Sequence, residues 1–412
     1  MQRLPGFRDF YPEPLPNPEA WSADARQYLF DQWRDMARRY GFREYDGPPL
    51  EPLELFTLKS GEEIVGQLYN FTDKGERAVA LRPEMTPTLA RMAAAAERNY
   101  KKPFKWFAMP QLFRYEKQQK GRLREHFQLN ADIIGEADTA ADAELLALLI
   151  DTLRSFNLTH EDFVIRLSSR NAWQEFFSKR CADETKAYAF YQAVDKLERE
   201  TPDVNVKKFS ELGFSFDEVT AFIGSGEPTP ELQSIVSNLT ARGLGPFVKI
   251  DYAVIRGLAY YTGVVFEAFD VKGEFRAIAG GGRYNNLLKL ISGGKVDLPA
   301  LGFGMGDVVL LELLKARKLL PAFDATVDVF VLIEDESLRN ESLGVIEKLR
   351  SAGKVVEYSL TPAKGDKQFK RALELKAKQT VRLERGADGL LLGRVKNLAT
   401  REEQQLPVEA IA

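Results

Sequence analysis

Residues 171–245 carry a charged, helical pattern with no strand alternation, while the stretches on both sides are dense in strand-forming residues. Any sheet drawn from both flanks must be assembled from two separate pieces of chain, with a small helical insertion between them. Ahead of the insertion, apolar residues at three- and four-residue spacing predict a helix from Trp21 to about Tyr40, ended by Gly41. Strands are expected at 68–72 and 76–82 around the turn Asp73-Lys74-Gly75, and again at 104–116 and 126–134. Thr86-Pro87 opens a helix with proline at its tolerated first position, and a further helix spans about 139–156. After the insertion, Val254, Ile255, Tyr261, Val264, Val265, Phe266 and Phe269 read as strand. Gly302, Gly304 and Gly306 then occupy alternate positions, which leaves one face of a strand without side chains.

The expected fold class is α+β. An antiparallel-rich sheet flanked by helices is built from residues 1–170 and 246–320, with the helical insertion at 171–245. From 325 to 412, strands alternate with helices in short units, which predicts a small C-terminal α/β domain with a mostly parallel sheet. A chain of 412 residues is long enough for two or three domains. The net charge of -3 gives no global attraction to nucleic acid, so any such contact must come from local basic patches. One cysteine, Cys181, allows no internal disulfide, and His126 and His160 are too few for a structural zinc cluster. A reducing, cytoplasmic setting is expected, with no membrane span and no leader at Met1.

The densest chemistry lies between Phe113 and Leu129. Apolar pairs at Leu112/Phe113 and Phe127/Leu129 predict a long hairpin whose tip carries Lys117, Lys120, Arg122 and Arg124. Such a tip is either a solvated surface or a hand for a polyanion. Arg114 and Glu116 share one face by the period of two, together with Gln128 on the returning strand. A guanidinium, a carboxylate and an amide on one face need internal pairing or a polar ligand. Arg82-Pro83-Glu84-Met85-Thr86 sits where a strand gives way to a helix, a place suited to a ligand amine, although Glu84 also reads as an ordinary surface acid. Arg256 stands near Tyr260 and Tyr261. Lys367, Lys370 and Arg371 on a C-terminal helix fit either solubility or a second polyanion contact. Neither a phosphate-binding P-loop nor a Gly-x-Ser-x-Gly elbow is present.

Taken in order along the chain, these segments resemble the histidyl-tRNA synthetases, a class II aminoacyl-tRNA synthetase family. The resemblance is carried by Pro5-Gly6-Phe7-Arg8-Asp9, by Arg39-Tyr40-Gly41-Phe42 through Pro48 (the first motif), and by Leu81 to Thr86. It continues with Phe113 to Gln128 (the second motif), Ile255-Arg256-Gly257-Leu258-Ala259-Tyr260-Tyr261-Thr262-Gly263-Val264-Val265-Phe266-Glu267 and Gly280 to Tyr284. Lys367-Gln368-Phe369 and Gly393-Arg394-Val395-Lys396-Asn397-Leu398 resemble the anticodon-binding domain. The resemblance implies ATP-dependent activation of L-histidine to histidyl-adenylate, followed by transfer to tRNA(His), in a homodimer, with Mg2+ arriving on ATP.

It also implies residue roles. Arg256 and Arg114 are the catalytic cations, and Arg114, Glu116, Arg122, Arg124 and His126 bind ATP. Histidine is held by Glu84, Thr86, Gln128, Asp132, Arg256, Tyr260 and Tyr261, while Gln118, Gln119, Lys120, Lys367 and Lys370 contact tRNA. No residue is assigned to a metal.

Four departures stand out. Ala259 replaces the usual aspartate, the order His126-Phe127 is reversed, and Asn285 follows Tyr284. The third motif, commonly ending Gly-Leu-Glu-Arg, reads Gly306-Asp307-Val308-Val309 and so lacks its ATP-binding arginine. Two other readings share the fold: the synthetase-like regulatory subunit of ATP phosphoribosyltransferase, and a non-catalytic RNA-binding module.

Overall fold

The structure is a computed structural model that describes residues 2–60, 62–115, 123–197, 200–255, 260–323, 327–387 and 389–411. The chain divides into two units, Met1–Phe10 with Ala25–Leu320, and Tyr11–Asp24 with Pro321–Ala412.

Two short strands, β1 (Phe10–Tyr11) and β2 (Trp21–Ser22), precede helix α1 (Ala23–Arg39). The helix buries Ala25, Leu29, Trp33 and Met36, the predicted stripe, and Gly41 follows at φ +78°, a left-handed position natural to glycine. The chain continues through β3 (Arg43–Glu44), β4 (Leu50–Pro52), α2 (Leu53–Ser60), β5 (Asn70–Thr72) and β6 (Ala78–Leu81). Strands β4, β6 and β5 form a three-stranded antiparallel sheet. Its β5–β6 turn is held by Asp73, whose Oδ1 accepts from Gly75 N at 2.8 Å and Arg77 N at 3.0 Å. Helix α3 (Thr86–Ala96) begins with Pro87 in its first turn.

The large sheet then takes β7 (Phe104–Ala108), β8 (Gln111–Phe113) and β9 (Glu125–Ile134). The strand expected at 104–116 is two strands. Pro110 has no N–H, so the ladder lapses at Met109-Pro110, while the register is unchanged across the gap, with Ala108 opposite Asn130 and Gln111 opposite Phe127.

After α4 (Ala140–Arg154) and β10 (Phe163–Ser169), five helices follow: α5 (Arg170–Ser178), α6 (Ala187–Lys196), α7 (Pro202–Leu212), α8 (Phe216–Ser225) and α9 (Pro230–Ala241). Trp173, Phe176, Phe190 and Phe214 pack at their centre, and Trp173 Nε1 donates to Tyr252 O at 2.9 Å. The sheet resumes with β11 (Val248–Ile250), β12 (Val264–Asp270), β13 (Ala279–Arg283) and, after α10 (Leu287–Ile291), β14 (Ala300–Gly306). Val254, Ile255 and Tyr261, read from sequence as strand, are buried but lie in the connection between β11 and β12. Their apolarity reports burial, which a loop folded under the sheet also supplies.

Nine strands join in the order β11-β10-β12-β13-β14-β9-β7-β3, with β8 added to β9. The centre is antiparallel, and only the outer pairs β10/β11 and β3/β7 are parallel. Strands from before and after the helical stretch interleave: β9 lies beside β14, and β10 beside β12. Along β9, Leu129, Ala131 and Ile133 are buried on the face covered by α4 and by α11 (Asp307–Ala316). The intervening residues His126, Gln128, Asn130 and Asp132 point the other way.

In the second unit, β15 (Val329–Leu332), α12 (Arg339–Ser351), β16 (Val356–Tyr358), α13 (Gly365–Glu374), β17 (Gln379–Arg385), β18 (Leu391–Asn397) and β19 (Glu403–Pro407) follow in turn. The sheet order is β16-β15-β17-β18-β19. Its first two pairs are parallel and its last two antiparallel, so the expectation of a mostly parallel sheet is corrected. The antiparallel half is a meander of charged and apolar residues in alternation, with Val381, Leu383 and Val395 turned into the core.

On the cleft side of the large sheet, β13 and β14 present glycines at facing positions: Gly280 faces Gly304 and Gly282 faces Gly302. On the opposite face, a Cβ at Gly281 would lie 2.1 Å from the Gly302 carbonyl oxygen, a backbone atom that cannot move alone. Gly281→Ala is expected to destabilise the protein by roughly 2 kcal/mol or more. Gly306→Ala, where nothing lies within 4 Å of the new carbon, is expected to change stability little. Urea unfolding of the two variants checks the contrast, and equal stabilities would refute the packing described.

Candidate active site

The bare strands form the floor of a cleft of about 960 Å³. Floor residues Gly280, Gly304 and Gly306 lie between two walls. One wall is Arg114, His126 and Gln128; the other is Arg166, Glu267, Phe269 and Arg276. The floor has to be bare because the wall leans over it. A Cβ at Gly302 would sit 1.8 Å from Asp132 Oδ1, and one at Gly304 would sit 2.6 Å from Gln128 Cδ.

Arg114 leaves the end of β8 with its Nε donating to Pro83 O at 3.0 Å, which ties it to the turn carrying Glu84 and Thr86. Its backbone N donates to Arg124 O at 2.8 Å, continuing the hairpin one pair beyond β8. Glu84 and Thr86 are half-buried, Thr86 as the first residue of α3. Tyr260 Oη donates to Glu84 Oε2 at 3.3 Å, and the Tyr260 and Tyr261 rings lie 4.6 Å apart. Tyr284 Oη donates to Asp132 Oδ1 at 2.5 Å, and its ring stands edge-on to Tyr260 at 6.0 Å. Burial pushes the Asp132 carboxyl up to about 7, despite the Tyr284 hydroxyl bond that favours its charged form. Burial and the neighbouring Asp132 also hold the Tyr284 phenol well above its ordinary range.

Structure thus brings Arg114, His126 and Gln128 to one cleft, pairs Glu84 with Tyr260, and places Asp132 against Tyr284. Arg124 is not among the residues that line the cleft; its guanidinium lies 4.5 Å over the Tyr115 ring. Glu116, Gln118, Gln119, Lys120, Arg122 and Arg256 lie outside the described residues. Arg82, which opens the segment carrying Glu84 and Thr86, is a structural strut: it is buried, with Nη1 donating to Gly47 O at 2.6 Å and Nε to Gln111 O at 3.1 Å. Lys367 and Lys370 are exposed on α13, whose other face is fixed by Gln368, bonded to Ile333 N at 2.9 Å and Ile333 O at 2.6 Å.

Several residues had no role assigned from the sequence. Tyr284 ended the quoted glycine run without a role, and only the fold reveals its partner. Glu267 faces the cleft because it pairs with Gly280, a register that no single sequence states. The Tyr45 hydroxyl is buried with no hydrogen-bond partner among the described residues. In the third motif, Val308 and Val309 line the cleft, whereas Asp307 turns away into a buried ion pair with Arg8 at 2.8 Å. Asp307 therefore does not stand in for the missing arginine.

The family model for histidyl-tRNA synthetase matches residues 15–208 and 219–307. The chain belongs to the histidyl-tRNA synthetase family. It is 44% identical to the histidine–tRNA ligase of Opitutus terrae, over all of this chain and 97% of that one. It is 39% identical to the chloroplastic/mitochondrial histidine–tRNA ligase of Arabidopsis thaliana, over 91% of this chain and 79% of that one. Among solved structures, histidyl-tRNA synthetase from Nostoc aligns with a TM-score of 0.76 at 24% identity, covering 97% of each chain. A Bacillus halodurans protein named as an ATP phosphoribosyltransferase regulatory subunit/histidyl-tRNA synthetase aligns with a TM-score of 0.73 at 20% identity, covering 92% of this chain and 97% of that one. These two likenesses establish the fold, an α+β synthetase core with a C-terminal domain. The activity is that of a histidine–tRNA ligase, as the full-length relatives show.

The Asp132 carboxyl gives the site a pH signature in the unliganded protein. Its folded value of about 7 exceeds the ordinary 3.8, so the folded state binds this proton more tightly than the unfolded state. Stability from this group is therefore full below pH 4 and declines as pH rises to about 7. Asp132→Asn is expected to remove that decline, read as the difference in urea stability between pH 5 and pH 8. An identical difference in both proteins would show that the buried carboxyl is not its source.

Proposed function

We propose that the glycine-floored cleft is where histidine and ATP meet, with the side chains around it in the following roles. The observation that carries this reading is the glycine floor at Gly280, Gly304 and Gly306, bordered by Gln128 and Arg114, with Asp132 packed over Gly302 beside it. Only a floor without side chains leaves room for two substrates between such walls. Asp132, held near neutrality and oriented by Tyr284, accepts from the substrate imidazole, whose own proton affinity is similar. Glu84, with Thr86 beside it, receives the α-ammonium group, and Gln128, Tyr260 and Tyr261 complete the pocket.

In the first step the histidine carboxylate attacks the α-phosphorus of ATP, a new P–O bond forms, and pyrophosphate leaves. Arg114 donates to the α-phosphoryl oxygens, and Arg256 meets the developing negative charge from the opposite side, a transition-state interaction. His126 forms the wall for the adenine; Glu116, Arg122 and Arg124 serve the remaining ATP contacts. Mg2+ would supply further charge neutralisation on the phosphates. Among the described residues no group of three or more acidic, histidine or cysteine side chains is arranged for a metal, but the single Glu267 carboxylate suits an ion that is held mainly by phosphate and water.

In the second step the terminal ribose hydroxyl of tRNA(His) attacks the mixed anhydride and AMP leaves. Gln118, Gln119 and Lys120 reach the acceptor end, and the exposed Lys367 and Lys370 reach the anticodon side. The helices of 171–245 form an insertion, and 325–412 the anticodon-binding domain, on a catalytic domain drawn from 1–170 and 246–320. A cytoplasmic homodimer is the assembly we propose, supported by the exposed apolar side chains Leu50, Leu58 and Phe71, which follow the first motif in the chain.

Arg256→Ala is expected to slow single-turnover adenylate formation at least about a hundredfold while histidine binding is partly retained. Equal loss of both would contradict the assigned role. Gel filtration at micromolar concentration is expected to give a dimer, and a monomeric elution would remove the dimer from this account.

A further inference from the structure

We propose that Arg8 is a positioning residue for the nucleotide end of the cleft, acting through Glu125 and Asp307. This rests on the reading of that cleft as the site of adenylate formation. Arg8 Nε donates to Glu125 Oε1 at 2.6 Å and Nη2 to Oε2 at 3.3 Å, while Nη1 donates to Asp307 Oδ2 at 2.8 Å. All three side chains are essentially inaccessible, at 1%, 1% and 0% exposure. The carboxylates accept further bonds: Gln111 Nε2 donates to Glu125 Oε2 at 2.9 Å, and Phe127 N donates to Asp307 Oδ1, the oxygen not bound by Arg8, at 3.0 Å.

None of the three charged groups lines the cleft, yet chain neighbours of the two carboxylates do. Glu125 opens β9 and is followed by His126; Asp307 opens α11 and is followed by Val308 and Val309. His126 and the two valines are wall residues of the cleft, and the guanidinium fork clamps the backbone that carries them. Two carboxylates share one guanidinium, so the cluster holds an excess negative charge in a buried place. Removing Arg8 leaves two carboxylates facing each other without a counter-ion, and one must take a proton or draw in water. The start of β9 and the start of α11 would then separate. Gln128 and Asp132, farther along β9, are held independently by the ladder to β14 through Gly306 and Gly302. The disturbance is therefore confined to the wall around His126 and Val309.

The test is histidine-dependent ATP–pyrophosphate exchange with full-length Arg8→Met, Arg8→Lys and Asp307→Asn, measuring KM for ATP and for histidine separately. Arg8→Met is expected to raise KM for ATP at least about tenfold and leave KM for histidine within about twofold. Arg8→Lys should recover part of the loss, because an ammonium restores the charge without the fork. Asp307→Asn keeps the shape and leaves Arg8 and Glu125 as a one-to-one pair, so it carries the test if Arg8→Met fails to fold. It should raise KM for ATP alone, by a smaller factor. An unchanged KM for ATP in the folded variants, or a parallel rise in both constants, overturns the proposal. Calorimetric titration with ATP reads the same shift without turnover. A wild-type protein inactive in exchange would thus refute adenylation, while the titration still decides the role of Arg8.

Discussion

Strands β13 and β14 can lie beneath a substrate-sized cleft only because the positions they turn toward it are glycine. That constraint fixes much else. Gln128 and Asp132 occupy the space that Cβ atoms at Gly304 and Gly302 would claim, so the wall of polar side chains and the bare floor define each other. Gly281, on the other face, lets the backbones pack beneath Phe266 and Phe303. A strand with side chains here would need a different sheet.

Around this floor, buried charges lock segments far apart in sequence. Arg283, ending β13, has Nε 2.9 Å from Asp142 Oδ2 on α4, and its Nη1 and Nη2 donate to Glu136 O and Asp138 O at 3.0 and 2.7 Å. Arg8 joins the start of β9 to the start of α11. Arg82 ties the turn ahead of α3 to the chain at Gly47 and Gln111. Guanidinium suits these places because its planar fork satisfies several acceptors from one buried position. The cost of a broken bond at any of them is the exposure of an unpaired charge in the interior.

Local features were legible in the sequence. The stripe of α1, the Asp73 turn, the proline start of α3 and the glycine alternation of β14 all follow from short-range rules, and so did the need for one sheet from two stretches of chain. Long-range partners were not legible. Tyr284 and Asp132 are separated by 152 residues, and Arg8 finds Asp307 across 299. No local pattern encodes such pairings. Apolarity at Val254 and Ile255 correctly signalled burial and wrongly suggested strand, because burial alone does not select backbone geometry. The departure at Val309 was visible as a missing cation; that Asp307 turns inward to Arg8 required the fold.

We propose that this cleft forms histidyl-adenylate without the third-motif arginine. The most direct measurement is exchange of labelled pyrophosphate into ATP by the purified protein, with each amino acid in turn, with and without tRNA. Exchange is expected to depend on histidine alone among the amino acids. Absence of exchange under both conditions in folded protein would contradict it and favour the regulatory-subunit reading of the same fold.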